Sequence, residues 1–190
     1  MLFYIGASVL ITLSVYCWLG IKGAYSKGEV LPFRVSAAIW ILDTLHLILV
    51  SLASLNSVWE LRFNETVAFI SGLALIGIGL AILLIGMIQF RSLRRISGMH
   101  SARLIATGIY RWSRNPQYLG WFICLLGISL IGRSGLAFLL TFMLIIGIHL
   151  YNIWLEEPYL ERVLGKEYLE YKSRTARYVG MPRKSNNVRN

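Results

Sequence analysis

Five apolar runs occupy most of this chain: Leu2–Ile21, Ser36–Val58, Val67–Ile88, Tyr118–Ile131 and Gly135–Leu155. A helix needs about 20 apolar residues to cross a bilayer, and backbone polar groups in hydrocarbon must be paired internally. Four runs are long enough, and the fourth in order is short. A 56% hydrophobic content and a mean hydropathy of +0.62 exclude an ordinary soluble domain. The expected fold is therefore all-α, a polytopic membrane protein with five transmembrane helices. The glycines of Gly132-Arg133-Ser134-Gly135 mark a tight turn, so the last two spans are expected to form a helical hairpin.

The charges give the topology. Of the 19 Lys and Arg, 17 fall on one set of alternating connections and 2 on the other. The positive-inside rule then puts the basic loop and the tail in the cytoplasm and the N-terminus outside. The first positive charge, Lys22, follows the first apolar run, which reads as a retained span rather than a cleaved signal. The net charge of +10 reflects topology and attraction to anionic lipid. Nucleic acid is excluded as a partner, since no basic stripe is interleaved with stacking aromatics. Cys17 and Cys124 lie inside apolar runs and read as small buried hydrophobes, and no metal site is expected.

The whole chain, 1–190, reads as one domain: three spans over 1–90, a loop, hairpin and tail helix over 91–178, and a loose tail over 179–190. Residues Pro158–Tyr171 have apolar positions at helical spacing. Pro158 should break the fifth span and start a short interfacial helix turned away from it on the cytoplasmic side. Gly72, Gly79 and Gly86 recur every seven residues on one face of the third span, which reads as close packing, with a lipid-tail groove as the alternative.

Ionisable groups inside a bilayer are costly and need a reason. Asp43 and His46 share a face of the second span, where they can satisfy each other or bind a ligand. His149, Asn152 and Glu156 share a face of the fifth, and Gln89 ends the third. With alternating spans these groups gather toward one side of the membrane, as the lining of a polar cavity. The loop before the fourth run adds Arg103, Arg111 and Arg114, whose planar forks suit carboxylates and phosphates. Asn115 can cap the next helix and Pro116 can open it.

The chain carries Gly108, Tyr110 and Arg111, then Arg114, Pro116, Tyr118 and Gly120. After the hairpin come Glu156-Glu157 and then Gly165, Tyr168 and Tyr171. This ordered set, covering about half the chain, resembles the integral membrane methyltransferases of the isoprenylcysteine carboxyl methyltransferase and phospholipid methyltransferase superfamily. The resemblance implies an enzyme using S-adenosylmethionine, with a lipophilic acceptor entering sideways from the bilayer at the cytoplasmic face. By that analogy the cofactor is lined by Leu104, Ile105, Gly108, Tyr110, Asn115, Pro116 and Tyr118, with Asn152, Glu156 and Glu157 across from them. Two positions depart from the family pattern. Asn115 stands where His is usual and cannot serve as a base, so His149 becomes the candidate base beside Arg114 and Asn115. Pro158 follows the Glu pair where a charged residue is common. Asp43, His46, Gln89 and Arg111 are left to face the acceptor. Membrane lipids and a lipophilic small molecule are the expected partners, with no obligate protein partner. The alternative is a non-catalytic binding protein, or a proton-coupled small transporter using Asp43, His46 and His149.

Overall fold

The computed structural model describes residues 2–90, 98–99 and 104–182. Arg91, Arg94, Arg95 and Arg103 of the basic loop, and the end of the tail from residue 183, lie outside the described residues. The architecture is helical: α1 (Leu2–Ser26), α2 (Phe33–Leu55), α3 (Glu65–Phe90), α4 (Pro116–Ile131), α5 (Gly135–Tyr151), α6 (Glu157–Leu164) and α7 (Lys166–Arg174). A 3-10 turn, Gly108–Arg111, precedes α4, and a π turn, Asn152–Glu156, joins α5 to α6. Among the described residues, four helices are long and apolar enough to cross a membrane. With 16 residues, α4 is the short one expected, about 24 Å long. The long helices carry apolar side chains on all faces; Ile41, Leu84 and Phe142 point outward unburied, as a lipid solvent allows. The protein is integral to the membrane.

α4 and α5, joined by the short turn, pack on each other as expected of a hairpin, and among the described residues the most extensive helix pair is α3 with α4. The reason is a second glycine series that faces the first. A Cβ on Gly79 would stand 2.7 Å from the Gly120 carbonyl oxygen and from the Cys124 nitrogen, and one on Gly127 would stand 2.7 Å from the Gly72 oxygen. Backbone touches backbone along the whole pair, so the packing reading of the glycine face holds and that face leaves no groove.

Two apolar clusters tie the remaining helices together. Val50, Ala53, Leu125 and Ala137 join α2, α4 and α5. Cys17, Ile21, Tyr25, Val35, Leu155 and Tyr159 join α1, α2, the π turn and α6. Both cysteines are buried and free. At the end holding the α4–α5 turn, Ser134 Oγ donates to the Val58 carbonyl (2.7 Å) and accepts from Ala137 N–H (3.2 Å), capping α5.

Pro158 does not break the last span. The Glu157 N–H bonds the Asn152 carbonyl five residues back, so the π turn shifts the hydrogen-bond register by one residue. Pro158 then falls in the first turn of α6, where its missing N–H costs nothing. The change of direction comes at Gly165, whose φ of +55° suits glycine and splits the expected single tail helix into α6 and α7.

Candidate active site

One end of the bundle encloses a cavity of about 390 Å³. Its floor and walls come from the end of α1, the first half of α2, the last turns of α3, the start of α4, the π turn, α6 and α7. Of the residues expected to face a cofactor, Leu104, Ile105, Tyr110, Asn115, Pro116 and Tyr118 line it. Asn152, Glu156 and Glu157 line it from the other side, and Asp43 and Arg114 also reach it. Positions more than a hundred residues apart in the chain therefore meet in one space.

Five expected positions do not line it. Gly108 packs instead under Gln89: with φ +57° and no Cβ it admits the Gln89 amide, which any side chain there would strike. Gln89 is thereby held off the cavity. Arg111 is exposed outside it. His46 is buried with its Nε2 unpartnered among the described residues, and no hydrogen bond joins it to Asp43. Three residues along a helix leave two side chains about 60° apart; Asp43 turns to the cavity and His46 into the packing. His149, the expected base, is drawn to the tail, with Nδ1 3.3 Å from the Tyr178 hydroxyl. Asp43, His46 and His149 thus do not share one cavity.

The ionic centre of the site is Glu157, which is buried. Arg114 Nη2 lies 3.2 Å from its Oε1, Arg177 Nε donates to Oε1 at 2.6 Å, and Lys172 Nζ lies 2.9 Å from Oε2. Removing one partner of such a buried set leaves uncompensated charge. The hydrogen bond to Glu157 holds Arg177 above its ordinary range. Burial lowers the Lys172 ammonium, but its pairing with Glu161 and Glu157 outweighs this and raises it. Burial pushes the Tyr168 hydroxyl up to about 12, opposed by Arg114, which donates to it at 3.3 Å. Tyr171 donates to the Tyr110 carbonyl at 2.7 Å and fixes α7 to the 3-10 turn.

The segment after α7 lies across the start of α4. Arg114 N–H donates to the Ala176 carbonyl (2.9 Å), Asn115 N–H to Arg177 (3.2 Å), and Gly180 N–H to Trp112 (3.1 Å). The loose tail expected from residue 179 is therefore tied at least as far as Gly180. Asn115 occupies the cap position of α4, but its side chain makes no cap bond. Its amide points back to the Arg177 carbonyl at 3.4 Å. The Tyr178 ring packs on Phe122 and beside His149. Arg177 and Tyr178 were missed in the sequence because backbone pairing of 112–115 with 176–180 leaves no side-chain pattern.

Several buried polar atoms on cavity-lining residues have no hydrogen-bond partner among the described residues. The acceptors are Asn152 Oδ1 and Glu156 Oε2; the donors are Arg114 Nε, Gln117 Nε2 and Trp121 Nε1. Buried polar groups are normally satisfied, so a set of unsatisfied ones around a cavity calls for a polar occupant. Between α2 and α3, which form no packed pair, the wall turns apolar with Trp40, Leu47, Leu83 and Met87.

The chain is 35% identical over 79 residues to a protein-S-isoprenylcysteine O-methyltransferase of Saccharomyces cerevisiae. The aligned stretch is 42% of this chain and 32% of that protein, so the chain spans about a third of the length of the relative it matches. No solved structure matches the chain. The phospholipid methyltransferase family model matches residues 67–167, more than half of the chain, which carries α3, α4, the π turn and the Glu pair. The chain belongs to the phospholipid methyltransferase family.

Proposed function

We propose that this protein transfers a methyl group from S-adenosylmethionine to a lipophilic acceptor at the cytoplasmic face of a membrane. The reading includes five spans, with the N-terminus outside and the basic loop and tail inside, supported by the charge split along the chain. One observation carries the chemistry: Glu156 Oε2 and Asn152 Oδ1 are buried acceptors without partners, on one face of the last span and inside a cavity of about 390 Å³. Such acceptors fit the cationic part of the methyl donor.

When bound, the cofactor supplies a methyl group on a sulfonium that its own charge has already activated. The residues of this chain position and shield. Glu156 and Asn152 hold the cationic side. Arg114, fixed by Glu157 and Tyr168, offers its unpartnered Nε to an anionic group. Leu104, Ile105, Tyr110, Pro116 and Tyr118 form the surrounding wall, and the 176–180 segment, paired with 112–115, holds the start of α4 and with it Arg114 in place. Asn115 serves as a joint between α4 and the tail rather than as a base, and His149 takes no part. The apolar gap between α2 and α3 is the side entrance for an acceptor dissolved in the bilayer.

Titration calorimetry of the purified protein with S-adenosylhomocysteine tests this. Saturable binding, weakened in Glu156→Gln, is the expected result. Absence of binding in protein that still melts cooperatively would overturn the reading.

A further inference from the structure

Asn152, Glu156 and Glu157 all line the cavity. A continuous α-helix would spread them. At about 100° per residue, Asn152 and Glu156 lie about 40° apart and share a face, but Glu157 stands about 140° from Asn152 and turns away. The observed turn is wider. The Glu157 N–H reaches back five residues to the Asn152 carbonyl, so the turn takes up one extra residue and Glu157 returns over Asn152. The Glu157 carboxylate is then buried against Arg114, Arg177 and Lys172. Beside it, Glu156 Oε2 and Asn152 Oδ1 remain without partners among the described residues.

The helices on either side of the turn are anchored separately. Upstream, α5 is held to α4 by Thr141 Oγ1, 3.2 Å from Ser129 Oγ, and by Ala137 in the apolar cluster. Downstream, the Tyr159 ring of α6 stacks on Tyr25 of α1 with centroids 4.0 Å apart, and Arg162 Nη2 donates to the Tyr25 carbonyl at 2.7 Å. These contacts set the rotation of α6 about the axis of α5. Losing the extra residue from the hydrogen-bond register would turn α6 by about 100° and break either the Tyr25 contacts or the Glu157 ion pairs.

Pro158 bears directly on that register. In an α-helix its nitrogen would face the Trp154 carbonyl with no proton to donate, and its ring would strike that oxygen. The register that Pro158 disfavours is thus the one that turns Glu157 away. We propose that Pro158 is a positioning residue: it holds the turn in its wide register, so that one wall of the cavity presents Glu156 to the methyl donor and Glu157 to Arg114. This rests on the methyl-transfer reading and adds what aims its carboxylate.

The test is a double-mutant cycle in the purified protein, read by titration calorimetry with S-adenosylhomocysteine. Pro158→Ala frees the α register while the extra residue is still present, and should weaken binding about tenfold. Deletion of Ile153 removes the extra residue, but Pro158 still opposes the α register, and binding should again weaken about tenfold or more. With both changes an ordinary α-helical turn brings Glu156 and Glu157 to the Asn152 face, and binding should return to within about threefold of wild type. A proline that only starts α6 predicts losses that add. Additive losses, or unchanged binding in Pro158→Ala, overturn the inference and leave the methyl-transfer reading standing. If either single variant does not fold, the combined variant decides: recovery of cooperative melting and of binding supports the inference, and no recovery overturns it. If the wild type fails to bind S-adenosylhomocysteine, the methyl-transfer reading falls and the inference with it.

Discussion

The two ends of this bundle treat buried polar groups in opposite ways. At the end with the α4–α5 turn, Ser54 Oγ bonds the Ile128 carbonyl, Ser129 Oγ meets Thr141 Oγ1 at 3.2 Å, and Ser134 both caps α5 and bonds Val58. An antiparallel bridge between Glu60 and Ser134 and an ion pair between Arg133 and Glu60 at 2.8 Å close that end. At the other end Asn152, Glu156, Arg114, Gln117 and Trp121 each bury an unpartnered polar atom around an open cavity. A buried polar atom without a partner costs on the order of 1–3 kcal/mol. On the proposed reading, the groups left without partners among the described residues at that end await a ligand. If the proposed function holds, the difference separates residues that hold the fold from residues that serve the ligand.

Three substitutions and one titration put pressure on that contrast. Glu156→Ala should lower S-adenosylhomocysteine affinity about a hundredfold, the loss of a charged hydrogen bond in a buried site, and should barely move the melting temperature. A large drop in melting temperature with affinity kept would place Glu156 among the structural groups. Arg177→Ala removes one of three cations from Glu157 and the side-chain anchor of the 176–180 segment. A rise in KM of about tenfold with near-normal expression is expected. Ser134→Ala tests the opposite end. It removes a helix cap and the hydroxyl bond to the Val58 carbonyl, which keeps the Leu136 N–H, at a cost of about 1 kcal/mol. The melting temperature should fall by a few degrees while turnover is unchanged; a change in KM would blur the two ends.

The smallest effect concerns pH. Lys172 is raised above its ordinary value of 10.5, burial being outweighed by Glu161 and Glu157. Its stabilising contribution is whole below the unfolded value and is lost as pH climbs through the folded one. Faster amide exchange in 175–180 at about pH 11 than at about pH 9, beyond the intrinsic rate change, would reveal it.

Hydropathy alone makes the spans legible, because hydrocarbon permits few alternatives to a helix. The short fourth helix was visible in the length of its run. Which helices pair was not. The α3 glycines were recognisable, but Gly120 and Gly127 have meaning only when set antiparallel to them. The motif residues from Leu104 to Glu157 could be gathered by resemblance, and most of them do line the cavity. What failed were readings from local helix faces. His149 and His46 lay on plausible faces, yet a tail tyrosine took one and packing took the other. The π turn defeated the expectation for Pro158, since one extra residue in a turn has no composition signature. The tail pairing over α4 uses main-chain groups that every sequence possesses.

Amide hydrogen exchange of the purified protein with and without saturating S-adenosylhomocysteine tests the central claim most directly. Protection is expected in 104–118 and 151–178, with no change in 57–64 or 129–137. Protection at the Arg133 end, uniform protection along the bundle, or none at all would contradict a methyl-donor site enclosed by Arg114, Glu156 and the tail.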